Sequence, residues 1–271
     1  MRRAIEPVLV GHRIKTVLAR RPDLRIPLPK GFAGRVQGRK VLSVDRRAKY
    51  IVIRLDDGNS VIAHLGMSGR MMAYDDGAPP PGPHDHVDIV TDAGRTIRFR
   101  DPRRFGLMTL AETAHLDEHK LFRHLGPDPL GNEFGGKTLA ASLEGRATSI
   151  KAALLDQSTV AGVGNIYACE ALFRAGISPK RLAKTVQGQR ARKLAEAIRQ
   201  VLLEAIAAGG SSLRDHVLPS GELGYFQHSW RVYGREGEPC PGCTCDLART
   251  GGIRRIVQNG RSSFYCTTRQ R

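Results

Sequence analysis

The chain has 271 residues, with 43 Lys and Arg against 26 Asp and Glu, a net charge of +17, and 41% hydrophobic residues. That length and apolar content can bury one large or two modest cores, which excludes a disordered chain, and no apolar run approaches the roughly 18 residues of a membrane span. The excess of dispersed basic residues points to a polyanionic partner, nucleic acid first, because no basic amphipathic anchor for a lipid surface is present.

The opening Met1-Arg2-Arg3-Ala4-Ile5-Glu6-Pro7 has neither the apolar core of a secretory signal nor the acid-poor look of a transit peptide, so a soluble cytoplasmic protein is expected. Residues 41–64 read as a hairpin. Ile51, Ile53 and Leu55 alternate with other residues, Asp56-Asp57-Gly58-Asn59 is a turn, and Val61 to His64 is extended again. Val87 to Val90, a turn at Asp92-Ala93-Gly94, and Thr96 to Arg100 repeat the scheme, with the proline-rich Ala78 to Pro83 as a surface loop between the hairpins. From about Lys137 the pattern turns helical: Leu139 to Gly145, Ser149 to Asp156, Asn165 to Ala175 and Gln189 to Ala208. In the last, Leu194, Ile198, Val201, Leu202, Ala205 and Ile206 share one face, and Gly209-Gly210-Ser211-Ser212 ends it. A β-rich N-terminal part followed by a helical part is the coarse reading, without internal repeats.

Residues 247–271 hold six arginines and no acidic residue. Ile253 to Val257 and Ser262 to Tyr265 read as short strands around Asn259-Gly260. Four of the five cysteines, Cys240, Cys243, Cys245 and Cys266, lie in the last 32 residues. In a reducing compartment such a cluster points to metal before disulfides, and a metal would explain how so small a hairpin stays folded.

Three segments draw attention, each with a plain alternative. Gly162-Val163-Gly164-Asn165 opens a helix, where backbone N–H groups and the Asn side chain can grip a phosphate; an ordinary tight turn reads the same way. Asp101-Pro102-Arg103-Arg104-Phe105-Gly106 sets cations beside an aromatic ring, and His64-Leu65-Gly66-Met67-Ser68-Gly69 holds a Met between glycines. Both suit a wedge for a base stack, and both suit core packing and a solvated turn.

Taken in order with Arg47-Ala48-Lys49-Tyr50, His84 to Asp88, Tyr233-Gly234-Arg235 and Gly260 to Cys266, these segments closely resemble the formamidopyrimidine-DNA glycosylase family over essentially the whole chain. The resemblance implies an α+β multidomain fold: an N-terminal β-sandwich (1–126), a helix-two-turn-helix domain (127–232) and a zinc-finger-like β-hairpin (233–271). It implies a DNA repair enzyme that excises oxidised purines, chiefly 8-oxoguanine and formamidopyrimidines, then cleaves the abasic strand by β,δ-elimination. The expected partner is double-stranded DNA with an oxidised purine or abasic site, met by a monomer with a structural zinc.

By position, Lys49 matches the sandwich lysine that donates a proton in β-elimination, although a lysine at a strand edge is usually just solvated. Arg261 matches the hairpin arginine of δ-elimination and phosphate contact. His84, Arg103 and Arg146 match DNA contacts, and Asn165 matches the phosphate-binding asparagine. Met67, Arg103 and Phe105 match the trio that fills the gap left by a flipped nucleotide. The sequence His64-Leu65-Gly66-Met67 is closer to the oxidised-purine branch than to the endonuclease VIII branch, and the segment near Gly221 to Tyr225 resembles the loop that covers the flipped base.

Two departures stand out. The family begins Pro-Glu-Leu-Pro-Glu-Val-Glu-Thr-Val-Arg-Arg, with the proline amine as nucleophile and the next Glu as acid and base, whereas here Met1 directly precedes Arg2-Arg3. A start placed too far downstream is the first expectation, and a non-catalytic relative that recognises damaged DNA is the alternative. In the finger, the family's Phe-Tyr-Cys-x-x-Cys reads Phe264-Tyr265-Cys266-Thr267-Thr268-Arg269, so Cys245 is expected to serve as fourth ligand beside Cys240, Cys243 and Cys266.

Overall fold

A computed structural model of the chain describes residues 1–210 and 225–271. It comprises two compact units, Met1–Arg123 and His124–Gly210 with Phe226–Arg271. Among the described residues, no helix is long and apolar enough to cross a membrane.

The first unit opens with helix α1 (Arg2–Leu9), whose Ile5, Val8 and Leu9 are buried. Strand β1 (Ile14–Ala19) and short helix α2 (Phe32–Val36) follow, then β2 (Val41–Arg47), β3 (Tyr50–Leu55), β4 (Asn59–His64), β5 (Arg70–Tyr74), β6 (Asp85–Thr91), β7 (Thr96–Arg100) and β8 (Leu107–Glu112). They form two four-stranded antiparallel sheets, ordered β1-β6-β7-β5 and β2-β3-β4-β8, around a core that includes Ile14, Val44, Ile53, Ile89 and Phe99. The β-sandwich therefore forms as expected. The turns at residues 56–58 and 92–94 fall where the sequence puts them, with Gly58 at φ 81° and Gly94 at φ 80°. Lys49 does not lie on a strand edge. It occupies the tight turn between β2 and β3, after Ala48 at φ 52°, and is exposed.

One sheet buries charge. The Arg98 guanidinium donates to both Asp88 oxygens at 2.8 Å, and Arg20 donates to Asp88 at 2.6 Å. Burial pushes the Asp88 carboxyl up, but the bonds from the two arginines outweigh it and hold it below the usual carboxylate range.

The second unit contains α3 (Gly136–Leu143), α4 (Ile150–Leu155), α5 (Asn165–Ala175) and α6 (Gly188–Ala207), then short α7 (Leu247–Thr250) and the hairpin β9 (Arg254–Gln258) and β10 (Arg261–Tyr265). Ser149 caps α4, its Oγ accepting from Ala152 N–H at 3.3 Å, and Gly176 at φ 70° ends α5. The helix expected over Leu139 to Gly145 begins three residues earlier and stops at Leu143, with Gly145 at φ 69° outside it. On α6, Leu194, Ile198, Val201 and Ala205 are buried as predicted, whereas Leu202 is half-buried and Ile206 is exposed. The buried face is turned away from Leu202 and Ile206 relative to the sequence pattern, because Ala191, Ala195 and Ala197 also belong to it. Gly209 and Gly210, both at positive φ, follow the helix; Ser211, Ser212 and the 221–224 segment lie outside the described residues.

Two anchors organise this unit. Glu170, wholly buried on α5, accepts the N–H groups of Arg231, Val232 and Tyr233 at 2.9 to 3.0 Å, fixing the segment that leads into the cysteine region. The hairpin turns at Asn259 (φ 48°) and Gly260 (φ 70°) and packs on α5 through a small core of Cys169, Phe173, Val232, Ile253 and Phe264.

Candidate nucleic-acid interface and metal centre

In the first unit, Met67 and Phe105 are 63% and 43% exposed although both are large and apolar. They sit on the two loops flagged in the sequence, and the Arg103 guanidinium stacks 4.7 Å above the Phe105 ring. Core packing, the plain alternative for Met67 and Phe105, is thereby excluded. His84 is half-buried and its carbonyl accepts from Asp101 N–H at 3.0 Å.

His64, at the end of β4, packs its ring 5.0 Å from Tyr50 and accepts from Gly66 N–H through Nδ1 at 2.9 Å. Burial first, then the positive charges of Lys49 and Arg25, lower its pKa from 6.5 to about 4 against the opposing pull of Asp101. At neutral pH the imidazole is uncharged, as its acceptor role requires.

In the second unit, α5 begins at Asn165 with no side-chain cap and no acidic residue in its first turn, which leaves the helix N-terminus receptive to an anion. Asn165 Nδ2 donates to Ser262 carbonyl at 3.0 Å and to the Tyr233 hydroxyl at 3.3 Å, binding this helix start to the hairpin that carries exposed Arg261. Arg146 is engaged internally: it pairs with Asp156 at 2.9 Å and donates to Ser142 carbonyl at 2.8 Å.

The four cysteines converge. The Sγ atoms of Cys240, Cys243, Cys245 and Cys266 all lie within 4.8 Å of one another. A tetrahedral ion bound at about 2.3 Å spaces its sulfurs by just under 4 Å, so this donor set fits a metal. The hydrogen bond that Cys243 donates to Cys245, then burial, pushes the Cys243 thiol up to about 12, and thiols crowded this way ionise together only around a cation. Arg269, standing where a fourth cysteine was sought, instead donates to Gly242 carbonyl at 2.8 Å and stacks 5.0 Å from Phe173.

The sequence reading singled out neither Lys151 nor Asp101. Lys151 is wholly buried and donates to Ser262 carbonyl at 2.7 Å and Ser263 Oγ at 2.6 Å. A lysine inside the apolar run Ile150 to Leu155 was the available signal.

These elements define an α+β protein with a sandwich unit, a helical unit and a four-cysteine hairpin. The formamidopyrimidine-DNA glycosylase N-terminal domain matches residues 1–108, and the formamidopyrimidine-DNA glycosylase H2TH domain matches residues 125–217. The formamidopyrimidine-DNA glycosylases of Rhodospirillum centenum and Rhodospirillum rubrum are each 57% identical over 281 and 272 residues, covering 100% of this chain and 97% of each relative. The crystal structure of the MutM (Fpg) protein from Thermus thermophilus aligns with a TM-score of 0.86 at 39% identity, covering 99% of this chain and 95% of that one. The Lactococcus lactis Fpg in complex with abasic-site DNA aligns at 0.88 and 30% identity, covering 100% and 96%. The chain belongs to the formamidopyrimidine-DNA glycosylase family.

Proposed function

We propose that the protein is a base-excision-repair DNA glycosylase that removes oxidised purines from double-stranded DNA and then cleaves the abasic strand by β,δ-elimination. The observation that carries this reading is the exposed Met67 beside an Arg103 stacked on an exposed Phe105. Exposed apolar side chains mounted among cations suit insertion into a base stack from which one nucleotide has been flipped, and flipping is what exposes the glycosidic bond. The abasic-site DNA bound by the Lactococcus lactis relative supports the same partner. Nothing in the structure or among the relatives favours the non-catalytic alternative.

Within this reading Lys49 donates a proton during β-elimination, supported by its exposure at a hairpin tip, close enough to His64 to depress that ring's pKa. Arg261 holds the lesion phosphate and serves δ-elimination, supported by its exposed place beside the hairpin turn. His84, Arg103 and Arg146 contact the duplex, and Asn165 with the α5 N-terminus takes a phosphate. Arg146 reaches DNA only by exchanging its Asp156 partner. The four-thiolate donor set suits zinc, which when bound braces the hairpin and supplies no reactive group. The working species is read as a cytoplasmic, DNA-associated monomer.

The test is release of free base from a duplex carrying one 8-oxoguanine, compared with undamaged guanine, by the protein carrying Pro-Glu-Leu-Pro-Glu-Val-Glu-Thr-Val ahead of Arg2. Preferential release that falls in Met67→Ala and Phe105→Ala supports the reading, and equal action on both duplexes overturns it.

A further inference from the structure

One carboxylate lies beneath both exposed loops. Asp101 is wholly buried; its Oδ1 accepts from Ser68 Oγ at 2.5 Å and its Oδ2 accepts from Gly106 N–H at 2.7 Å. Ser68 follows Met67 in the chain, and Gly106 follows Phe105. The Ser68 hydroxyl oxygen in turn accepts from Arg103 N–H at 3.1 Å. Asp101 is itself fixed on both sides: its N–H donates to His84 carbonyl at 3.0 Å, and its carbonyl lies 2.8 Å from Nε2 of buried His86.

The two loops also touch directly. A Cβ on Gly66 would stand 2.4 Å from the Phe105 carbonyl carbon, and one on Gly106 would stand 2.7 Å from both His64 carbonyl oxygen and the Phe99 ring. Only glycine permits this crossing. Arg104, between Arg103 and Phe105, is held at φ 55°, a conformation a non-glycine residue adopts only when its surroundings impose it.

We propose that Asp101 is a positioning residue that locks the His64–Gly69 and Asp101–Gly106 loops into one mount, so that Met67, Arg103 and Phe105 enter the duplex as a single pre-formed wedge. The proposal rests on the wedge reading given above. A mount ordered before binding spares the loss of loop and side-chain freedom on insertion, and that saving appears as affinity for the distorted duplex. The chemistry needed at position 101 is two hydrogen-bonding atoms for two buried partners. Asparagine keeps a bond to each partner, accepting from Gly106 N–H through its oxygen and donating to Ser68 Oγ through its amide, while the Ser68 hydroxyl hydrogen gives up the acceptor it has in Asp101. Alanine leaves the Gly106 N–H and the Ser68 hydroxyl without that partner.

The test places 2-aminopurine beside a tetrahydrofuran abasic analogue in a duplex and reads the fluorescence rise on unstacking, with affinity measured in parallel. Asp101→Ala and Ser68→Ala are expected to suppress the rise and weaken binding to the tetrahydrofuran duplex about tenfold. Affinity for an unmodified duplex, which phosphate contacts dominate, falls less. Asp101→Asn keeps more of the rise than Asp101→Ala does. Adding Asp101→Ala to Phe105→Ala costs little more than Phe105→Ala alone, because mount and wedge act as one unit. If Asp101→Ala does not fold, Ser68→Ala, which removes one hydroxyl, carries the test. A folded Ser68→Ala or Asp101→Ala with a full rise overturns the mount while Phe105→Ala still suppresses it. An undiminished rise in Phe105→Ala overturns the wedge reading itself, and the mount with it.

Discussion

Lys151 Nζ donates to the Ser262 carbonyl at 2.7 Å, so a wholly buried ammonium on α4 fixes the residue next to Arg261 on the hairpin. Burial lowers its pKa, and the Arg261 charge adds to the effect, so this charge is held at a cost. Its partners have others: Asn165 also donates to Ser262, and Ser263 also donates to Gln258 at 2.7 Å. Lys151→Met is therefore expected to melt at the same or a higher temperature while binding abasic-site DNA about tenfold more weakly. Calorimetry and fluorescence anisotropy on one preparation check both halves.

His64 gives a pH signature. Its pKa in the folded chain is about 4 against 6.5 in the unfolded chain, so between these values the unfolded state binds more protons. Stability is expected to fall as pH drops from 6.5 towards 4, with no contribution from this group above 6.5. Urea midpoints across that range measure it, and His64→Gln should flatten the dependence.

The metal reading turns on Cys245. A cobalt-loaded protein should show the intense visible bands of tetrahedral thiolate coordination, and Cys245→Ser should weaken metal retention while Arg269→Ala keeps it. Arg261→Ala, in contrast, should leave metal content intact and weaken lesion binding more than Arg269→Ala does.

What was legible in the sequence follows from local rules. The Asn259-Gly260 turn needs positive φ, the Ile51, Ile53 and Leu55 alternation fits a pleat, and α5 runs from Asn165 to Ala175 as its pattern says. Met67, Phe105 and Asn165 were found through an ordered resemblance, since each alone reads equally well as packing or turn. β1 escaped notice because only Ile14 and Val17 are buried and the strand carries a register shift. Asp101 and Lys151 escaped because their partners are far away in the chain, 33 residues for Ser68 and 111 for Ser262. Residues 41–64 form three strands rather than one hairpin, with Lys49 in the first turn, because nothing local announces the positive φ of Ala48.

Binding should be electrostatic in large part, given the net charge of +17. Log affinity for an abasic-site duplex is expected to fall linearly with log salt, and Arg261→Ala should reduce the slope by about one. Anisotropy titrations from low to high salt read the slope directly.

The glycosylase assignment is tested most directly by borohydride trapping on a duplex carrying 8-oxoguanine, since reduction captures an imine between C1′ and the attacking amine. The protein for this test carries Pro-Glu-Leu-Pro-Glu-Val-Glu-Thr-Val ahead of Arg2, with the proline nitrogen free in one preparation and blocked by a retained methionine in the other. An α-amine with a pKa near 8 is unprotonated often enough to attack at neutral pH. The account predicts a covalent adduct and strand cleavage with the free proline and neither with the blocked one. A free-proline protein that folds and binds the lesion duplex yet forms no adduct would contradict it.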